Sequence, residues 1–166
     1  MGYCNVIATG YSINDLDLSI FDDSYNIGVN AAYRYIRCDE TVFFDNHFDR
    51  YGDSKNPQYL GAFGGQWLNQ GDPINLRPGY VSGINLSVIM AINVAVHRGF
   101  DEIRVYGNDN KLTSGFLHFY DEEPLQDKKL IDHYEFHFRY FDKVYKRLKA
   151  QLKELNVIFV NTDYTL

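Results

Sequence analysis

The chain predicts an α/β fold: a single Rossmann-like domain over residues 1–166, with a mostly parallel sheet and helices on both faces. Three observations predict it. Short apolar runs alternate with helical stretches along the chain, the pattern of strand–helix–strand units. The runs lack regular in–out alternation, as strands buried on both faces do. The length of 166 residues, 45% hydrophobic and 23% charged, suits one sizeable core.

The elements follow in order. "NVIAT" (5–9) is an apolar run that ends at Gly10, a strand and a turn. "SINDLDLSIF" (12–21) reads as a helix, with Ser12 as N-cap and Asp15 at the capping-box position. "NIGVN" (26–30) is a second strand, "AAYRYIR" (31–37) a short helix and "TVFFD" (41–45) a third strand. Residues 46–76 scatter Gly, Asn, Asp and Pro and read as a long loop, a length that tends to carry function. "INLRPGYV" (74–81) supplies one more short strand. "SGINLSVIMAINVAVHRGF" (82–100) is an apolar helix that Ser82 can cap and Gly99 can stop. "EIRVYG" (102–107) is a strand.

Residues 126–155 form a long helix. Its apolar seam is Tyr134, Phe138, Phe141, Tyr145, Leu148, Leu152 and Leu155, at alternating steps of four and three. A strand, "NVIFVN" (156–161), follows at once. Covering a sheet therefore fits this helix better than a coiled coil.

The bulk numbers exclude some partners. A formal charge of -6 gives no general attraction to nucleic acid or anionic membrane. Eight of the 16 Lys and Arg residues fall between Lys128 and Lys153, and they read as a solvated helix face. Cys4 and Cys38 make neither a disulfide framework nor a zinc quartet, and Cys4 reads as a small buried hydrophobe. "MGYCNVIATGYS" lacks the basic start and long apolar region of a signal peptide. Asn85, Asn93 and His97 interrupt the greasiest run short of membrane-spanning length. A reducing, cytoplasmic setting is expected.

In an open parallel sheet, ligands bind beyond the carboxyl ends of the strands. That rule selects Thr9 and Gly10, Asn30, Asp45, and Asn108 with Asp109. Ser82 and Gly83 open the apolar helix on the same edge. Each position alone has a structural explanation as a turn or cap; together they outline a rim. The tip of the helix would offer free N–H groups and a positive dipole end to an anion, phosphate or diphosphate being the natural guest. Neither a G-x-G-x-x-G fingerprint nor a P-loop is present, so ordinary NAD or ATP binding is not favoured.

These segments resemble a known group. "ATGYSINDLDLS" resembles the opening of the small bacterial sialyltransferases that use CMP-sialic acid. It is similar, too, to the motility accessory factors and the archaeal-type 6-hydroxymethylpterin diphosphokinases. "GVNAAY" and "TVFFD" look like the group's second- and third-strand segments, and "SGINLSVIMAINVAVHRGFDEIRVYGND" resembles its central signature. "LHFY" (117–120) and "NVIFVNTDYTL" resemble its downstream His-Phe-Tyr and final strand. Thr9 stands where the family has Asn, Tyr11 where it has Pro, and Asn110-Lys111 where an aromatic pair holds the donor phosphate.

The resemblance implies donor-binding roles for Thr9, Gly10, Asn30, Asp45, Ser82, Gly83 and Asp109, and a general-base role for His118. The expected activity is inverting glycosyl transfer from a CMP- or UDP-sugar to a hydroxyl on a small molecule or glycan. His118 would take the acceptor proton. Tyr120 or Lys111 would stabilise the departing phosphate. No cluster of Asp and His at metal-ligand spacing appears, and "GND" is not the Asp-x-Asp of metal-dependent transferases, so no cofactor or metal is expected beyond the donor itself. A homo-oligomer stays open. His133 and His137 are rivals for the base, but Tyr134 and Phe138 beside them read as core, which favours a structural role for both histidines.

Two other readings stand beside this one. The first is a Mg²⁺-dependent diphosphokinase acting on a small alcohol, with Asp45 and Asp109 on the ion. The second is an inactive nucleotide-binding or assembly module that docks through the loop around Tyr59 and Trp67.

Overall fold

Five strands form one all-parallel sheet in the order β3-β2-β1-β4-β5. The structure is a computed structural model and describes residues 2–42 and 86–162. The strands are β1 (Tyr3–Ile7), β2 (Tyr25–Val29), β3 (Glu40–Val42), β4 (Glu102–Tyr106) and β5 (Val157–Phe159). In register, Val6 faces Ile27 on one side and Val105 on the other. The chain runs outward from β1 to β2 and β3, then crosses back to β4 on the other side of β1. The order reverses between β1 and β4, and a crevice opens at such a switch point.

Among the described residues, two α-helices share one face of the sheet. Helix α1 (Ser87–Arg98) packs on β1, β2 and β3, and helix α2 (Lys128–Glu154) on β5. One core cluster joins Val6, Ile27, Ile103 and Phe159 to Ile89–Val96 of α1 and to Phe141, Val144, Leu148 and Leu152 of α2. The other face carries a thinner layer of 3-10 helices, at Tyr11–Asp15, Leu18–Phe21 and Asn30–Arg34. Its cluster is Ile7, Ile13, Phe21, Ala32, Ile36 and Tyr106. Helical layers thus cover both faces, with unequal depth.

The segments 12–21 and 31–37, expected as helices, form these 3-10 turns instead. The reason is local. Asn14, Asp15 and Asp17 favour caps and turns over helix interiors. Asp17 accepts a bond from the Ser19 N–H at 3.0 Å and starts a new turn. Ser12 is not a cap: Gly10 holds that position, without a side-chain bond. The apolar helix begins at Ser87, with Leu86 at its N-cap; Ser82, the expected cap, lies outside the described residues. Gly99 ends α1 as expected, at φ 82°, a conformation glycine adopts without a Cβ clash. Residues 43–45 of the expected third strand, the loop 46–76 with Tyr59 and Trp67, and the expected strand 74–81 lie outside the described residues.

Cys4 and Cys38 are both buried, and burial pushes each thiol up to about 12. Neither carries thiolate chemistry at neutral pH. Among the described residues, no helix is long and apolar enough to cross a membrane.

An ion pair fastens α1 to the sheet at the end opposite the crevice. Arg98 donates from Nε and Nη2 to the two oxygens of Glu40, at 2.8 and 2.9 Å, and the Tyr25 hydroxyl bonds the same carboxylate. Glu40 is 4% exposed. Burial, the Glu40 bond and the Glu40 charge push the Tyr25 phenol well up. Removing the cation alone strands a buried carboxylate. Arg98→Met is expected to cost about 1–2 kcal/mol in urea denaturation, because Glu40 is buried but the Arg98 side chain is 42% exposed and water screens the pair, and Arg98→Lys less, because the charge stays.

Candidate functional site

A cavity of about 730 Å³ opens at the carboxyl ends of β1, β2 and β4. Thr9, Gly10, Asn30, Asp109, Lys111, His118 and Tyr120 all line it. Seven residues selected from the sequence therefore converge on one space. Asp45, Ser82 and Gly83 lie outside the described residues.

The crevice is narrow because β1 and β4 stay zipped past their strand ends. Ala8 N–H donates to Tyr106 O at 2.9 Å, and Gly10 N–H to Gly107 O at 2.7 Å. A Cβ on Gly10 would stand 2.4 Å from Gly107 O and 2.7 Å from the Asp109 carboxylate. The absence of a side chain at Gly10 lets the β1 and β4 loops approach this closely. Asp109, 7% exposed, accepts from Ser12 N–H at 2.8 Å, and its other oxygen accepts from the Ser12 hydroxyl. Its carboxylate thus ties the β4 loop to the β1 loop, and Ser12 occupies a lone pair on each oxygen. Asn30 sits at φ 52°, a left-handed conformation that Asn tolerates better than most residues. Asn110, also at φ 52°, donates to Phe138 O at 2.9 Å and to Asp142 at 3.1 Å, which pins the β4 loop to α2.

His118 reaches the cavity on a small hairpin. Thr113 and Phe116 exchange backbone bonds of 3.0 and 2.9 Å around Ser114 and Gly115, at φ 52° and 88°. Positive φ at both central residues is the primed turn that suits a two-residue hairpin. The chain then pairs antiparallel with the β1 loop, Gly10 opposite His118, and Phe119 N–H donates to Thr9 O at 3.0 Å. Asp121 closes the turn, accepting from His118 N–H at 2.7 Å and Leu117 N–H at 3.1 Å.

The His118 ring is half-buried, and burial holds its pKa below the ordinary value of 6.5. The Asp121 charge and a bond from the ring to the Thr9 backbone oppose that shift in part. In the neutral ring one nitrogen is a donor and the other an acceptor. The imidazole stacks on Tyr120 at 5.0 Å and 18°, and Tyr120 stacks on Tyr35 at 4.9 Å and 8°. This column of rings fixes the orientation of the imidazole.

The far wall was misread from sequence. Tyr134 and Phe138 continue the apolar seam, yet they are only half-buried and line the cavity together with His133 and His137. Geometry explains it. A helix of 27 residues is about 40 Å long, whereas a five-residue strand spans about 17 Å. Only Phe141 and the residues after it find a sheet beneath them. A crossover helix runs antiparallel to its strands, so the N-terminal half of α2 overhangs their carboxyl ends.

Ser12 and Asp121 were missed as well, whereas Asn108 was among the positions that the strand-end rule selects. Asn108 is 7% exposed, and its side-chain nitrogen has no hydrogen-bond partner among the described residues. A buried donor without a partner calls for an explanation, and this residue lines the cavity. The N-terminus of α1, without a side-chain cap, lines it too through Leu86, Ser87 and Val88. The space thus combines a helix N-terminus, an unpaired amide, a neutral imidazole, a lysine and several rings. No protein-family model, curated protein or solved structure matches the chain.

Proposed function

We propose that the cavity holds a nucleotide-sugar donor and that the protein transfers the sugar to a hydroxyl of a small molecule or glycan. The observation that carries this reading is the convergence of Thr9, Asn30, Lys111, His118 and Tyr120 on one crevice at the β1–β4 switch point. A volume of about 730 Å³ is of the size that takes a ligand larger than a bare phosphate. The donor phosphate faces the uncapped start of α1, where backbone N–H groups and the helix dipole favour an anion.

The acceptor hydroxyl attacks the anomeric carbon as the bond from that carbon to the phosphate oxygen breaks. The acceptor proton passes to the free nitrogen of His118. The electron pair leaves with the phosphate, whose charge Lys111 and the Tyr120 hydroxyl offset. Tyr120 holds the imidazole by stacking.

The test is a thermal-shift titration with CMP, UDP and ATP, each with and without Mg²⁺. A cytidine or uridine nucleotide should raise the melting temperature without metal. At a hundredfold excess over Kd the gain is about 2.7 kcal/mol, or roughly 5–11 °C for a chain of this length. A shift with ATP alone, dependent on Mg²⁺, would replace this reading with diphosphoryl transfer. No shift with any nucleotide would remove both.

A further inference from the structure

Besides the elements of the proposed reaction, the cavity wall carries His133, Tyr134 and His137 of the stretch "HYEFH", residues 133–137. Residues four apart on a helix stand one above the other on the same face. His133 and His137 do so: their rings touch at a centroid distance of 4.5 Å, at 66° to one another. Neighbouring rings flank the pair, Tyr134 against His133 at 5.6 Å and Phe136 against His137 at 5.9 Å.

From this geometry we infer that His133 and His137 form a chelate for a borderline divalent ion, Zn²⁺ or Ni²⁺, on the cavity wall. The spacing is that of the two histidines in a zinc-binding H-E-x-x-H helix. Tyr134 stands where that motif has its catalytic Glu, so the motif's hydrolytic chemistry is not implied. Imidazole nitrogens select Zn²⁺, Ni²⁺ and Cu²⁺ over Mg²⁺ or Ca²⁺. Among the described residues, no group of three or more His, Cys, Asp or Glu side chains is placed to hold an ion. The pair is therefore a two-ligand site, and its remaining positions are open to water or to an anionic group in the cavity. The inference does not depend on the proposed transfer, and no step of that reaction passes through the ion.

Isothermal titration of the full chain with Zn²⁺ tests it, with no donor present. One saturable equivalent is expected. The second imidazole binds intramolecularly, so His133→Ala and His137→Ala should each weaken binding by about tenfold or more. His97→Ala, an exposed histidine in the last turn of α1, should leave binding unchanged. Both chelate histidines lie on the helix wall outside the core clusters, and circular dichroism melting checks that the variants fold. Absence of saturable binding overturns the inference. So does binding that survives both substitutions, or that His97→Ala weakens equally.

Discussion

His118→Asn is expected to lower turnover with the donor identified by thermal shift by about 10²- to 10⁴-fold, the range for losing a general base. Asparagine keeps a hydrogen-bonding group near Thr9 and cannot take a proton. KM for the donor should change little, because the ring acts on the acceptor hydroxyl. Turnover within twofold of the parent would remove His118 from the base role and pass it to His137 or His133 on the opposite wall.

The pH profile gives an independent reading. Burial, the leading effect, holds His118 below 6.5. The acid limb of the rate should therefore lie below pH 6.5, with a plateau from there through neutrality. Asp121 pulls the other way, toward the protonated form. Asp121→Asn keeps an oxygen for the Leu117 and His118 N–H groups and loses the charge, so the limb should move to still lower pH. The same shift has a stability consequence. Below 6.5 the unfolded chain binds a proton at this site that the folded chain resists. Stability should rise with pH from the depressed value to about 6.5, then level off. His118→Asn should flatten that rise in urea melts taken across the window.

Gly10→Ala is expected to destabilise the protein by about 3 kcal/mol, combining overpacking with a weakened backbone bond. The melting point should drop by roughly 6–12 °C. Backbone strain is not the cause: Gly10 sits at φ -66° and ψ 158°, which alanine adopts freely. The cause is contact. The added methyl would meet Gly107 O and the Asp109 carboxylate, neither of which has room to retreat while Ser12 holds Asp109. The loops would part, opening the floor of the cavity. Gly2→Ala, with nothing within 4 Å of the added methyl, is the matched control and should be neutral. Equal stability of the two variants would show that the β1 and β4 loops yield easily.

Parts of this molecule were legible before any coordinates. The apolar runs at Val6, Ile27, Val105 and Phe159 fix where strands lie, because a buried strand needs side chains that tolerate both a pleat and the absence of water. Gly99 marks the end of α1 because a left-handed C-cap suits glycine. The rule that ligands sit at strand carboxyl ends picked out Thr9, Asn30 and Asp109, since strand polarity in a parallel sheet is set by the chain itself, and the resemblance added Lys111 and His118; all five line one cavity. The 3-10 turns were not legible. Ser12 looks like a cap from its neighbours, and only the distant Asp109, 97 residues away, shows what its hydroxyl and N–H do.

The sequence by itself determined the periodicities: which residues are apolar, where helices stop, and that strands and helices alternate. Those are local properties, fixed by side-chain chemistry and by the 2.0- and 3.6-residue repeats. Only the tertiary structure decided which part of a periodic seam becomes core and which becomes cavity wall. Phe138 and Phe141 carry the same side chain on the same helix face and both border the cavity, yet Phe138 is only half-buried and Phe141 is buried in the core. Burial depends on what lies opposite. What lies opposite is set by the mismatch between a long helix and short strands, a property of the packed whole that no local window contains.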